Sequence, residues 1–172
     1  ISFYFVSEEV LMEIIRTADI CDKHREDARV CELQFNNYGN RSHFHGRVVT
    51  YATYESNSEL REIISGGGEG KVLVIDGRGS LRRALCGGNI AEQAYRHHWS
   101  GLIFNGAIRD SHEFSSLDFG VKALGTTAMP PINDTNGKID IQINFGNILI
   151  KPGDYLYADQ DCVVLLENPD HG

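Results

Sequence analysis

Hydrophobic and polar positions divide the chain into short segments of contrasting period. Val10, Ile14 and Ala18 fall on one helical face with Leu11 and Ile15. Ser7 offers a cap and Glu8 and Glu9 an acidic first turn, so the spacing predicts a helix over 7–20. Residues 21–44 are polar and irregular. His45 to Tyr54, with Val48, Val49 and Thr50, reads as a strand. Ser56 with Glu59 three residues on predicts a capping box opening a short helix through Ile64, and the run Gly66-Gly67-Gly68-Glu69-Gly70 then breaks the chain.

The block from 71 to 110 carries the clearest pattern. Lys71 to Asp76 has an uninterrupted apolar centre, as a strand buried on both faces requires. Ile90, Ala91, Ala94 and Tyr95 give residues 88–99 a helical period, and Gly101 to Phe104 is a second apolar run. Strand, helix and strand in this order predict a parallel pair joined by a crossover. Downstream, residues 119–128 read as strand material and Pro130-Pro131 as a break. Strands follow over 139–151 around an Asn-Phe-Gly-Asn turn, then at Tyr155 to Tyr157 and Cys162 to Leu166. The expectation is a single α/β domain over 1–172, with strands dominating its second half.

Composition narrows the function classes. At 172 residues the chain is long enough for one self-sufficient core. Sixteen Lys and Arg against 24 Asp and Glu give a net charge of −8, which argues against direct nucleic-acid binding through phosphate attraction. No apolar run is long enough for a membrane span. Cys21, Cys31, Cys86 and Cys162 form no C-x-x-C pair. They are expected as reduced, mostly buried thiols of a cytoplasmic protein, although the chain ends leave organelle targeting open. His43, His45, His97 and His98 lack the third ligand that zinc would need.

Three short segments offer chemistry. Gly77-Arg78-Gly79-Ser80 follows a strand as a dinucleotide fingerprint would, but Arg82 stands where the third glycine belongs, so a sharp strand exit is the expected role. Gly87-Gly88-Asn89-Ile90 opens the helix of the parallel unit. Its free N–H groups could cradle a carboxylate or phosphate, and the same residues equally suit an ordinary loop with a helix cap. Arg109-Asp110 follows the second buried strand, at the sheet edge where α/β proteins gather ligands. Arg offers a fork for a substrate carboxylate and Asp a hard oxygen for a divalent cation. Glu113 could reach the same cation through water, and a surface ion pair is the alternative.

The segments Val72 to Ala84 and Gly101 to Asp110 resemble the regulator of ribonuclease activity A family, which includes the class II 4-hydroxy-4-methyl-2-oxoglutarate aldolases. The resemblance extends to Ile20-Cys21-Asp22, Asn37 to Phe44, Ile143 to Gly146 and Pro152 to Asp159. It implies a compact α/β sandwich with a swivelling β/β/α arrangement, assembled as homotrimers or hexamers with sites between subunits. The aldolase pattern G-x20-R-D-x2-E/D is met by Gly88, Arg109, Asp110 and Glu113. By this resemblance Asp110 holds Mg2+ or Mn2+, Arg109 binds the pyruvyl carboxylate of a small 2-oxo acid, and Gly87, Gly88, Asn89 and Ile90 complete the cradle. The implied activities are aldol cleavage and oxaloacetate decarboxylation. The alternative is a regulator that binds a ribonuclease without catalysis. By the same resemblance, ribonuclease-regulating enterobacterial members lack the metal-binding Asp, which this chain keeps. Asn89 stands where many aldolase members have Glu, and an amide cannot act as a general base near neutral pH.

Overall fold

The structure is a computed structural model that describes residues 14–133 and 136–170. Its frame is a mixed sheet built around four parallel strands: β3 (Phe44–Ala52), β4 (Val72–Asp76), β5 (Gly101–Ile108) and β6 (Gly120–Thr126). The antiparallel flank beside β3 is formed by β10 (Tyr155–Ala158), β11 (Val163–Leu166) and the short β1 (Arg29–Val30). At the other edge β2 (Asn36–Asn37) pairs with β6, while β7 (Lys138–Ile139) pairs with the end of β3. A separate hairpin joins β8 (Ile143–Phe145) to β9 (Ile148–Ile150).

The period-2 geometry of β4 explains the layers. Leu73 and Ile75 face one way, into a core with Leu60 and Ile64 of α2 (Leu60–Ser65) and Ile90, Ala91 and Ala94 of α3 (Gly88–Arg96). Val72 and Val74 face the other way, against Ile143, Phe145 and Ile150 of the hairpin. Val72, Leu73, Val74 and Ile75 are all fully buried, which is why their run carries no polar alternation. The result is helices, sheet and hairpin in three layers, the expected α/β sandwich.

Several boundaries differ from the sequence expectation. Most of the helix predicted over 7–20 lies outside the described residues. Ile14 to Arg16 are not helical, and α1 occupies Thr17–Lys23 instead. The capping box does not form. Glu59 turns its carboxylate to the Tyr51 hydroxyl (2.6 Å) and the Gly137 N–H, while Ser56 bonds Ser58. A tertiary partner outcompetes the local one, because Tyr51 is buried and its hydroxyl needs an acceptor. Helix α3 ends at Arg96 rather than at Trp99, whose ring is core and whose indole N–H donates to Ile64 O. Strand β5 runs beyond Phe104 to Ile108 across an irregularity in its pairing with β6. Gly77-Arg78-Gly79-Ser80 is a strand exit, as expected. Arg78 and Gly79 both take positive φ, and the N–H groups of Gly77 and Gly79 donate to Asn105 O, leaving no amide nest for a phosphate. The described thiols are free, with Cys31 and Cys86 buried and Cys21 and Cys162 half-buried.

Candidate active site

The segment Ala84–Gly87 runs alongside the last residues of β5. Leu85 N–H donates to Ala107 O, Arg109 N–H donates to Cys86 O, and Ala84 bridges Ala107 in parallel register. Asn57 Nδ2 donates to Leu85 O from the loop before α2 and fixes the other side of the segment. These bonds set the start of α3 beside the end of β5. The residues Gly87 to Ile90 therefore meet Arg109 and Asp110 although about twenty positions separate them in sequence.

Two glycines make this approach close. A Cβ on Gly87 would stand 2.8 Å from Asp110 Oδ2, and one on Gly88 would stand 1.7 Å from Glu113 Oε2. Both carboxylates thus lie directly against the turn that opens α3. Asp110 reaches its place through a left-handed backbone (φ 57°, ψ 38°), a conformation Asp tolerates better than most residues. It caps a 3-10 helix over Ser111–Ser116, and its carbonyl accepts from Glu113 N–H. That turn is what brings Glu113 back towards Gly88.

Around this junction lies a cleft of about 530 Å³. One wall holds Gly87 to Ile90, another Arg109, Asp110 and Glu113. The structure therefore assembles every predicted site residue in one place. Helix α3 has no side-chain cap, so the N–H groups of Gly88, Asn89 and Ile90 have no intrahelical acceptor. Arg109 is half-buried and Asp110 exposed. Glu113 has His112 Nε2 at 3.8 Å. Cys86 sits behind the turn, and burial pushes its thiol up to about 12, so it is a neutral wall and no nucleophile.

Sequence reasoning missed part of this cleft. Asn57, Ser58 and Arg61, before and on α2, also line it, together with Pro130, Pro131 and Asn133. The α2 wall reaches the predicted motif through core packing of Leu60 and Ile64 against Ile90 and Ala91 and through the Asn57 bond to Leu85 O, and no local pattern announces either.

The donors suit a hard divalent cation. Asp110 and Glu113 provide two carboxylates at the cleft, and Mg2+ commonly takes one or two carboxylates while keeping several waters. Among the described residues no group of three or more His, Cys, Asp or Glu is placed to hold a metal ion, so protein ligands alone would leave most of a cation's coordination to water and substrate. Also among them, no helix is long and apolar enough to cross a membrane.

Comparisons with known proteins span nearly the whole chain. The family model described as "RraA-like: Aldolase/RraA" matches residues 17–165. A protein of Alkalilimnicola ehrlichii named "Putative 4-hydroxy-4-methyl-2-oxoglutarate aldolase" is 41% identical over 154 residues, covering 90% of this chain and 96% of that protein. The RNA-processing inhibitor RraA from Thermus has a TM-score of 0.89 at 36% identity, over 94% of this chain and 97% of that one. A Geobacillus kaustophilus structure described as an S-adenosylmethionine:2-dimethylmenaquinone methyltransferase also has a TM-score of 0.89, at 38% identity over 91% and 97%.

Proposed function

The chain belongs to the RraA-like (Aldolase/RraA) family, and from that premise we propose that it is a divalent-metal-dependent pyruvyl aldolase. Its substrate is 4-hydroxy-4-methyl-2-oxoglutarate or a close 2-oxo acid, and oxaloacetate decarboxylation is a second activity of the same site. The observation that carries this reading is the convergence of Arg109, Asp110 and Glu113 with the uncapped start of α3 around one cleft.

Breaking the carbon–carbon bond next to a pyruvyl group leaves negative charge on that fragment. Asp110, with Glu113 through water, would hold Mg2+ or Mn2+. When bound, the cation supplies Lewis-acid stabilisation of charge on the keto oxygen. Arg109 pairs with the pyruvyl carboxylate through its planar fork. The N–H groups of Gly88, Asn89 and Ile90 and the positive end of α3 orient the same carboxylate, which fixes the breaking bond relative to the rest of the cleft. Asn89 binds through hydrogen bonds but moves no proton, so proton transfer falls to another group or to water. Loss of CO₂ from oxaloacetate leaves the same charged fragment and needs the same arrangement.

The test is pyruvate release from 4-hydroxy-4-methyl-2-oxoglutarate and from oxaloacetate, with Asp110→Asn and excess chelator as controls. Activity that survives either control refutes the reading. The proposed homotrimer or hexamer is checked by light scattering. Leu81 and Met129, both more than half exposed, are apolar surface suited to such contacts.

A second reading is direct inhibition of a ribonuclease. It is favoured by the similarity to the Thermus RNA-processing inhibitor, and a net charge of −8 suits a basic RNA-binding surface on such a partner. Inhibition that persists in Asp110→Asn would place that function outside the cleft.

A further inference from the structure

Most arginines of the described chain are engaged. Arg29 pairs with Asp154, Arg41 with Asp118, Arg82 with Glu55 and Arg96 with Glu92. Arg16 and Arg83 bond Gln160 and a carbonyl, Arg47 bonds two carbonyls, and Arg78 lies over the Tyr54 ring. Among the described residues, only Arg25, Arg61 and Arg109 have a guanidinium without a hydrogen bond, ion pair or ring contact. Arg61 and Arg109 line the same cleft. Arg109 stands at the proposed pyruvyl end, and Arg61 stands on α2, in the wall that Asn57 ties to Leu85 in the segment leading into the glycine turn.

Arg61 is thus an unpaired cation lining a cleft that also holds the carboxylates of Asp110 and Glu113. Arg61 is exposed, and no protein acceptor holds it to any one rotamer. Its charge is nevertheless felt at Cys86, immediately before the Gly87-Gly88 turn, where Asp110 acts with the opposite sign. With Asp110 and Glu113 balanced by a divalent cation, and Arg109 by the pyruvyl carboxylate, Arg61 is the one charge in the cleft without a counterpart. A second carboxylate on the substrate supplies it.

We propose that Arg61 binds the distal carboxylate of the substrate and makes the cleft selective for 2-oxo dicarboxylates over 2-oxo monocarboxylates. The proposal rests on the pyruvyl reading of the Arg109 end and adds the residue that reads the other end. A guanidinium suits the task because its planar fork grips a carboxylate with two parallel bonds, whereas an ammonium makes a single point contact.

The experiment is titration calorimetry of the whole chain at saturating Mg2+ with 2-oxoglutarate and 2-oxopentanoate. These five-carbon 2-oxo acids differ only in the distal carboxylate, and the comparison is made for wild type, Arg61→Gln and Arg109→Gln. Wild type is expected to prefer 2-oxoglutarate by about 10- to 100-fold, the value of a charge-assisted pair. Arg61→Gln is expected to erase that preference and Arg109→Gln to weaken both ligands. Arg61→Lys should recover part of the preference. Wild-type binding without preference, binding of neither acid, or a preference that persists in Arg61→Gln overturns the proposal. The aldolase reading fails separately: if wild type releases no pyruvate from 4-hydroxy-4-methyl-2-oxoglutarate while Arg61→Gln still abolishes the preference, the carboxylate site stands and the reaction does not.

Discussion

The two ends of strand β5 each present close-packed glycines, and they use the space differently. At the start of β5, Gly101 and its neighbour Gly120 on β6 leave a slot filled by the Phe44 ring. A Cβ on either would lie within 2.4 Å of that ring. At the far end, Gly87 and Gly88 leave room for the carboxylates of Asp110 and Glu113. One pair admits an aromatic ring and completes a core. The other admits charge and leaves it facing a cleft.

The carboxylates follow the same division. Asp159 follows β10, whose last residue, Ala158, lies opposite Phe44. It is buried, and its oxygens accept from Thr17 N–H and Oγ1 and from the N–H groups of Asp161 and Cys162. Burial pushes that carboxyl upward, but these bonds outweigh it and hold the group below the usual Asp range. Asp110 is exposed and makes no side-chain bond in the described chain. A satisfied buried carboxylate stabilises a fold, and an unsatisfied exposed one at a cleft is available to a ligand.

Substitutions at the two ends should therefore separate activity from stability. The largest effect is expected from Asp110→Asn, which keeps a residue tolerant of the left-handed backbone. Pyruvate release should fall by about 10³-fold or more, corresponding to several kcal/mol of lost charge stabilisation, with the melting temperature unchanged. Gly101→Ala should do the reverse. Its Cβ meets the Phe44 ring, so urea denaturation should show a loss of about 1–3 kcal/mol while activity per folded molecule persists. Pairing it with Phe44→Leu should recover part of that loss, and strict additivity would contradict the slot described here.

Gly88→Ala is a smaller but sharper test. Alanine favours the first turn of α3 by up to about 1 kcal/mol, yet its Cβ must displace the Glu113 side chain. Stability should hold or rise while pyruvate release drops about 10-fold, or about 1.4 kcal/mol in the barrier. A variant that loses stability and activity together would remove the distinction between the two ends. The smallest effect concerns pH. Because the folded state lowers the Asp159 pKa, its contribution is complete above the unfolded value of about 3.9 and is lost as pH falls through the lower folded value. Asp159→Asn should flatten the acid limb of the urea midpoint against pH.

What could be read from the sequence tracks these regions. The parallel unit was legible because β4 and β5 are buried on both faces, so their apolar runs signal strands without tertiary knowledge. Gly87 to Ile90 and Arg109 to Asp110 were legible because a helix start and a strand end must meet at that edge of the sheet. Arg61 was not. A charged residue on a short amphipathic helix reads as solvent-facing, and it is tertiary packing of Leu60 and Ile64 against α3, with the Asn57 bond to Leu85 O, that brings that helix to the cleft. The Ser56–Glu59 pair shows the converse error, a correct local motif overridden by the buried hydroxyl of Tyr51. The far end of β5 was misjudged because its irregular pairing falls at Asn105 and Gly106, residues that by type suggest a turn.

The left-handed backbone at residue 110 bears on how such a protein can change over generations. Asn and Gly are the other residues that occupy this conformation at little cost, and each is one nucleotide away from an Asp codon. On the proposed reading, a single base change would therefore silence the chemistry and leave the scaffold whole, ready for recruitment as a partner of another macromolecule.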